Sequence, residues 1–407
     1  MEHLSLIAIG LVFLGFGLVS KKLSVAVVTP PMVFVVAGFL LSAPVVGLLH
    51  IEVDQHILKL LLEVTLVLVL FSDAARIDLV KLRKDHVIPQ RLLLIGMPLT
   101  IALGTAMATL LPLGLTFCEA VLLAAILTPT DAALGQVVVS SDKVPDPVRI
   151  GLNVESGLND GIALPVILAF ASIASAIMTN DNQQWLQFAV FQLSFGPLAG
   201  VAVGYTGARL VRLANDRDWV SPSGDGIIAL CIAALCFIIA EALHGNGFVA
   251  AFVGGLVFGN MQKNRCHYLF EFLETQGQAF TLSTFFIFGA LLLPMALFEF
   301  NIWHWVFALL SLSVMRMLPV YLCLRGLRIN LPTSLFIGWF GPRGLASILF
   351  ILLVIGDTML PHPEIITNIV FIAVLISVFA HGLSAAPLAK IYGATASASS
   401  LTVKQPQ

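Results

Sequence analysis

Thirteen predominantly apolar segments follow one another along this chain, and they restrict its possible folds more than any other feature. A helix that crosses a bilayer needs about 20 mostly apolar residues, with a range of about 17–25. By this criterion, candidate spans lie near residues 4–19, 25–42, 57–72, 92–112, 119–139, 151–178, 186–207, 226–243, 247–259, 279–298, 303–324, 334–355 and 365–389. The sequence therefore predicts an all-α polytopic membrane protein with 13 transmembrane helices.

Composition supports this class and excludes most soluble ones. Of the 407 residues, 58% are hydrophobic and 11% are charged, whereas soluble domains average about 25% charged residues. The 21 lysines and arginines nearly balance the 23 aspartates and glutamates, and there is no basic run, so we expect no nucleic-acid partner. The five cysteines show no paired spacing, which predicts free thiols. No basic region precedes the first apolar segment, so we expect a structural helix there and not a signal peptide.

The distribution of lysine and arginine predicts the orientation, because cytoplasmic loops carry an excess of these residues. All of them except Lys59, Arg316 and Arg343 fall in one set of alternate loops. The members of this set are Lys21, Lys22, Arg76, Lys81, Arg83, Lys84, Arg91, Lys143, Arg149, Arg209, Arg212, Arg217, Lys263, Arg265, Arg325, Arg328, Lys390 and Lys404. We therefore expect a multi-pass protein of a bacterial plasma (inner) membrane, with the N-terminus outside and the C-terminus cytoplasmic. Residues 1–392 would form a single transmembrane unit, and residues 393–407 a short cytoplasmic tail.

Two of the segments contain helix breakers at matching places. Pro129 lies beside Asp131 in the fifth segment, and Pro342 lies beside Arg343 in the twelfth. If segments 1–6 and 8–13 are two halves, each break falls in the fifth helix of its half. Interrupted helices at corresponding positions point to the binding site of a secondary transporter built from an inverted repeat. We expect the broken helices 5 and 12 to cross, with Asp131 offsetting their positive ends and Arg343 their negative ends.

The sixth segment carries two acids that point in different directions. Ser156 and Asp160 are four residues apart and share one helix face. Glu155 and Asp160 point about 140° apart at about 100° per residue. An ionisable group inside a membrane needs a partner, water or a function. These two carboxylates are therefore expected to have separate roles.

Together these motifs resemble the monovalent cation:proton antiporters of the NhaP/NHE type, which include bacterial sodium/proton antiporters. The resemblance covers essentially the whole transmembrane chain, and it is carried by Thr130-Asp131, Glu155-Ser156, Asn159-Asp160, the Gly-Asn-Gly-Phe run at 245–248 and the Gly-Pro-Arg-Gly run at 341–344. It implies 13 helices, an inverted repeat and a homodimer. A core domain around helices 4–6 and 11–13 would move against a dimerisation domain built from the remaining helices.

The resemblance also implies an ion site. Asp160 would bind a proton or an alkali metal cation alternately, while Asp131, the backbone carbonyl of Thr130 and Ser156 complete the coordination, and Asn159 belongs to the same ion- and proton-binding site. Asn159 stands where the electrogenic branch of the superfamily has an aspartate, which implies an electroneutral exchange of one cation for one proton.

Other family positions have structural roles or differ in this chain. The resemblance implies a structural ion pair between Glu155 and Arg316, and Arg343 matches a second family arginine on the twelfth helix. Many family members have a glutamate near the end of the third helix, where this chain has Ser72 followed by Asp73.

Two acids remain uncertain from the sequence. Asp73 is expected to pair with Arg76, to lie at the cytoplasmic mouth or to bind an ion. Glu241, on the eighth segment, is expected in packing or a polar network more than in function.

The chemistry predicts exchange and not catalysis. Desolvation favours a protonated carboxyl group and a nearby cation favours the carboxylate, so one such group can hold either. We therefore expect an antiporter, not an enzyme, that exchanges Na⁺ (K⁺ and Li⁺ remaining possible) for H⁺ by alternating access and serves pH homeostasis. Its partners would be membrane lipid and a second copy of the chain, with no cofactor beyond the transported ions. Three alternatives stay open: a cation-coupled organic-anion symporter of related fold, an intramembrane aspartyl protease using Asp131 and Asp160, and a passive channel or sensor.

Overall fold

The computed structural model of the protein describes residues 2–23, 28–49, 55–80, 86–139, 141, 143–179, 184–262, 267–299, 301–327 and 329–398. Within these ranges every regular element is a helix. The helices are α1 (Glu2–Leu23), α2 (Pro30–Leu41), α3 (Gln55–Arg76), α4 (Val87–Leu110), α5 (Phe117–Ile126), α6 (Ala132–Val139), α7 (Asp146–Thr179), α8 (Gln184–Asn215), α9 (Pro222–Ala242), α10 (Gly247–Gln262), α11 (267–298), α12 (Ile302–Leu324), α13 (Leu331–Trp339), α14 (Leu345–Asp357) and α15 (Pro363–Ala398). The all-α prediction is confirmed.

Several helices carry local irregularities. A π-helical turn occupies Leu92–Gly96 in α4, and another occupies Phe288–Leu292 in α11. Helix α12 is interrupted at Ser313. The predicted fifth segment consists of α5 and α6, and the predicted twelfth consists of α13 and α14. Both breaks therefore lie where the proline-containing motifs predict them.

Six helices in the described part are by themselves long and apolar enough to cross a membrane. They cover His3–Lys21, Val87–Leu110, Asp146–Ala176, Thr275–Leu297, Ile302–Leu324 and Pro363–Ala394. Shorter apolar helices lie in five of the remaining predicted spans, including both broken ones, and α3 and α8 cover the other two. A multi-pass membrane protein follows, while the number of 13 crossings and the orientation of the termini stay predictions.

The last helix extends beyond the apolar segment predicted at 365–389. Helix α15 continues to Ala398, so residues 393–398, where the sequence predicts the start of the cytoplasmic tail, are helical, and the tail itself stays a prediction. This stretch contains three alanines, the residue with the highest helix propensity, which favours continuation of the helix. The rest of the predicted tail lies outside the described residues. Seven of the basic loop residues lie outside them too, namely Lys81, Arg83, Lys84, Lys263, Arg265, Arg328 and Lys404, and so does Cys266. The other four cysteines are free thiols.

Small residues allow two helices to pack closely at one side of the bundle. A Cβ atom on Gly200 or Gly204 of α8 would lie 2.5 Å from a backbone oxygen of α10, at Ala250 and Gly254 respectively. Close contact of helix backbones is a common way to associate helices in a membrane. Helix α10 also packs along α3. These helices therefore form a tightly packed group beside α7, which carries Asp160.

Candidate functional site

The two broken segments meet in the buried interior of the molecule. Between α5 and α6 the chain is unwound at Pro129 to Asp131, and between α13 and α14 it is unwound from Phe340 to Gly344. The backbone N–H of Asp131 donates to the carbonyl oxygen of Pro342 at 2.7 Å. This contact joins the two breaks directly.

The Asp131 carboxylate lies at the N-terminal ends of two helices. Its Oδ2 accepts a hydrogen bond from the N–H of Leu345 at 2.8 Å, and its Oδ1 accepts from the N–H of Leu134 at 3.4 Å. A negative charge is favourable at a helix N-terminus. Gly344 permits this approach, because a Cβ atom there would overlap the Asp131 carboxylate.

Arg343 lies at the opposite kind of helix end. Its guanidinium donates to the carbonyl oxygens of Thr128 and Pro129, which follow the C-terminal end of α5, and Nη1 lies 3.1 Å from the Pro129 oxygen. The side chain is fully buried. Its own backbone N–H donates to Ser377 Oγ at 2.7 Å. Asp131 thus lies at the N-terminal ends of α6 and α14, and Arg343 lies at the C-terminal end of α5. That the two charges offset the helix ends stays a prediction.

Glu155 and Arg316 form a bidentate contact between α7 and α12. Arg316 Nη1 lies 2.5 Å from Glu155 Oε1, and Nη2 lies 2.7 Å from Oε2. The side chains are only 3% and 2% exposed. Neither residue lines the cavity described below, so the pair holds the two helices together beside the site.

A network of polar side chains lies between α7 and the first break. The hydroxyls of Thr130 and Ser156 are 2.9 Å apart, and Asn159 Nδ2 donates to Thr130 Oγ1 at 2.7 Å. Asn159 is 2% exposed and Asp160 is 7% exposed. Among the described residues, neither Asn159 Oδ1 nor Asp160 Oδ1 has a hydrogen-bond partner. Two buried oxygen acceptors in this network therefore remain available for a further contact.

A cavity of about 510 Å³ leads to Asp160. Three further acids line it, namely Asp73, Asp131 and Asp146, together with Ser72. The mouth lies at the C-terminal end of α3 and the N-terminal end of α7. Other lining residues include Arg76, Gln136, Arg149, Asn153, Gln278 and Thr281. At the mouth Arg149 and Asp146 form an ion pair. The cavity gives Asp160 access to one end of the bundle.

Glu241 lies apart from this cavity. It is exposed, and its Oε1 accepts a hydrogen bond from the N–H of Gly247 at 2.8 Å, at the start of α10. The structure thus brings Ser72, Asp73, Asp131 and Asp160 to one cavity, but not Glu241.

Sequence reasoning missed several residues of the site. Asn153 shares a face of α7 with Asp160, and the seven-residue spacing is a signal that could have found it. Gln278 lies on α11 and carries no motif. Ser377 of α15 supports the second break, and its Oγ lies 3.1 Å from His381 Nδ1. His381 Nε2 lies 2.9 Å from the carbonyl oxygen of Trp339, which can accept a hydrogen bond from it.

Comparison with known proteins gives one consistent result. A family model for transmembrane sodium/hydrogen exchangers matches residues 8–391. The chain is 25% identical over 393 residues to the K⁺/H⁺ antiporter NhaP of Alkalimonas amylolytica, covering 95% of this chain and 67% of that protein. It is 26% identical over 306 residues to the K⁺/H⁺ antiporter NhaP2 of Shewanella baltica, covering 73% of this chain and 51% of that protein. It is 25% identical over 258 residues to the Na⁺/H⁺ antiporter 2 of Zygosaccharomyces rouxii, covering 58% of this chain and 31% of that protein.

These relatives are longer than the chain, which spans about half of the Shewanella protein and less than a third of the yeast protein in the matched regions. A solved structure shows the same fold. The sodium proton antiporter MjNhaP1 of Methanocaldococcus jannaschii superposes with a TM-score of 0.76 at 18% identity, over 97% of this chain and 99% of that one.

Proposed function

The chain belongs to the family of transmembrane sodium/hydrogen exchangers, and we propose that it exchanges a monovalent cation for a proton at Asp160. The similar proteins are named as antiporters of K⁺ or Na⁺ with H⁺. The family match favours neither the organic-anion symporter nor the intramembrane protease.

The observation that carries the proposal is the buried carboxylate of Asp160, whose Oδ1 has no hydrogen-bond partner in the described part of the chain. It lies at a cavity open to one end of the bundle. An unpaired buried carboxylate is costly, so it takes up a proton or a cation as a counter-charge. Since one group cannot hold both, binding of either ion displaces the other.

The neighbouring groups suit an alkali cation. Ser156 and Thr130 offer hydroxyl oxygens, Asn159 offers an amide oxygen, and Asp160 offers the carboxylate. Such an all-oxygen set is preferred by hard cations. We assign the metal-ion ligands to Asp160, Ser156 and Thr130, with Asp131 supplying negative charge while it neutralises the two helix ends. Asp73 adds a further acid to the same cavity.

We further propose that exchange is electroneutral and that Na⁺ is the preferred cation. Asn159 is neutral and hydrogen-bonded to Thr130, so Asp160 is the acid of this adjacent pair that changes its charge. Access to the other membrane face requires movement of the core domain, which is α4–α7 and α12–α15 (predicted segments 4–6 and 11–13), against the dimerisation domain of a homodimer.

The experiment is cation-driven proton movement in proteoliposomes, followed with a pH-sensitive dye for Na⁺, K⁺ and Li⁺ in turn. The wild type should move protons against at least one of them, and Asp160→Asn should not. Glu241→Gln is the matched control, because it alters an exposed acid outside the cavity and keeps an acceptor for Gly247. Exchange by Asp160→Asn at the wild-type rate would refute the assignment, and a membrane-potential-dependent rate would refute electroneutrality.

A further inference from the structure

The site is closed at the end opposite the cavity mouth. Beyond Asp160, the α7 residues Ala163, Leu164 and Ile167 have no exposed surface. The loop charges predict this end to be the outer face. Opening toward it must therefore separate helices that are in contact here.

Helices α11 and α15 form one of these closed contacts. Helix α11 packs on α2 and α3, whereas α15 packs on α12 and α14. Phe288 of α11 and Phe371 of α15 meet edge to face, with ring centroids 5.5 Å apart, and both are buried. These rings form an apolar layer between helices that belong to different packing groups.

A polar contact covers this layer on the outer side. Asn368 lies one turn before Phe371 on α15, and its Nδ2 donates to Glu299 Oε2 at 2.9 Å. Glu299 follows directly after α11 and is exposed, whereas Asn368 is only 6% exposed. A buried amide that donates to a carboxylate loses a strong partner when the two helices separate.

We propose that Glu299 and Asn368 are positioning residues of the transport cycle, forming a latch that breaks each time Asp160 opens to the outer face. The latch holds the protein in the state seen here, with the cavity open at the other end. It acts on the position of α15 relative to α11 and touches no transported ion. The inference rests on the proposed exchange function.

Reversible cross-linking tests the latch. In a background without the five native cysteines, Glu299→Cys and Asn368→Cys are joined by a short bifunctional thiol reagent that a reductant cleaves. Cross-linking should abolish cation/proton exchange in proteoliposomes, and reduction should restore it. The matched control joins Ser175→Cys and Met359→Cys, whose parent residues contact each other at the same end between α7 and the α14–α15 connection.

The result separates the latch from the proposed function. Exchange by the reduced proteins is measured first, and its absence there would count against the exchange function itself. Unchanged exchange after cross-linking of positions 299 and 368 would overturn the latch. So would an equal loss in the control pair, since the proposal requires a block specific to the α11–α15 contact.

Removing the latch should have the opposite effect. Asn368→Leu should increase labelling of Phe371→Cys from the outer side by a membrane-impermeant maleimide about tenfold, the equivalent of about 1.4 kcal/mol. Glu299→Gln retains an oxygen acceptor and should give a smaller increase. A purely structural role would lower the yield of folded protein without this increase, and that result would overturn the proposal.

Discussion

Arg316→Met removes the cationic half of the buried pair with Glu155 and leaves that carboxylate without its two short contacts. Each hydrogen bond between charged groups contributes about 1.5–3 kcal/mol. Breaking a buried ion pair by removing one partner costs about 3–5 kcal/mol. Because both side chains are at most 3% exposed, solvent hardly screens the interaction. We expect the free energy of unfolding to fall by about 3–5 kcal/mol.

The assay is reversible unfolding in mixed detergent micelles, followed by the fluorescence of the five tryptophans. Glu155→Leu should cost a similar amount, since it leaves a buried guanidinium unpaired. The double variant should recover most of the loss, because replacing both charges by apolar side chains is often nearly neutral. The reasoning is refuted if Arg316→Met is as stable as the wild type or if the two single effects simply add.

Three further outcomes follow from the site. Asp131→Ala and Arg343→Ala should each lower the yield of folded protein as well as exchange, since both remove charge from helix ends. The yield is measured by fluorescence-detected size-exclusion chromatography, and full yield of both variants would contradict this role. Gly344→Ala should reduce folded yield and exchange in the same assays, because its Cβ would overlap the Asp131 carboxylate, and normal exchange would show that the approach is not required. Asp160→Asn should abolish exchange, but its free energy of unfolding should stay within about 1 kcal/mol of the wild-type value. The reason is that asparagine is nearly isosteric with aspartate and that Asp160 Oδ1 makes no hydrogen bond with the described residues. A much larger loss of stability in the same micelle assay would make Asp160 a structural residue.

The sequence predicts those parts of the site that follow from local rules. A proline within an apolar segment removes a backbone donor, so the break beside Asp131 could be located from the residues alone. The cost of charge in a membrane drew attention to Asp160 and Glu155. Spacing along the helix also gave their different directions, which agree with one lining the cavity and the other contacting Arg316.

Other features depend on contacts between distant segments. Glu155 and Arg316 are 161 positions apart, so spacing could not pair them, and the resemblance to a family was needed. Ser377 and His381 support the second break from α15, and no local pattern marks their partners. The remaining difference is the extension of α15 to Ala398, where helix propensity outweighed the loss of apolar character.

The unpaired oxygen of Asp160 has a consequence for leakage. On the proposed function, a carrier that returned empty would have to keep the buried Asp160 carboxylate ionised and without a counter-charge while access closes on one face and opens on the other. Uncompensated burial of such an ion costs several kcal/mol, and each 1.4 kcal/mol slows a step about tenfold. The ion-free form would therefore change the face to which Asp160 is accessible much more slowly than the loaded form. On the proposed function, the unpaired carboxylate oxygen of Asp160 would therefore make exchange obligatory and keep the gradient that drives it from leaking away.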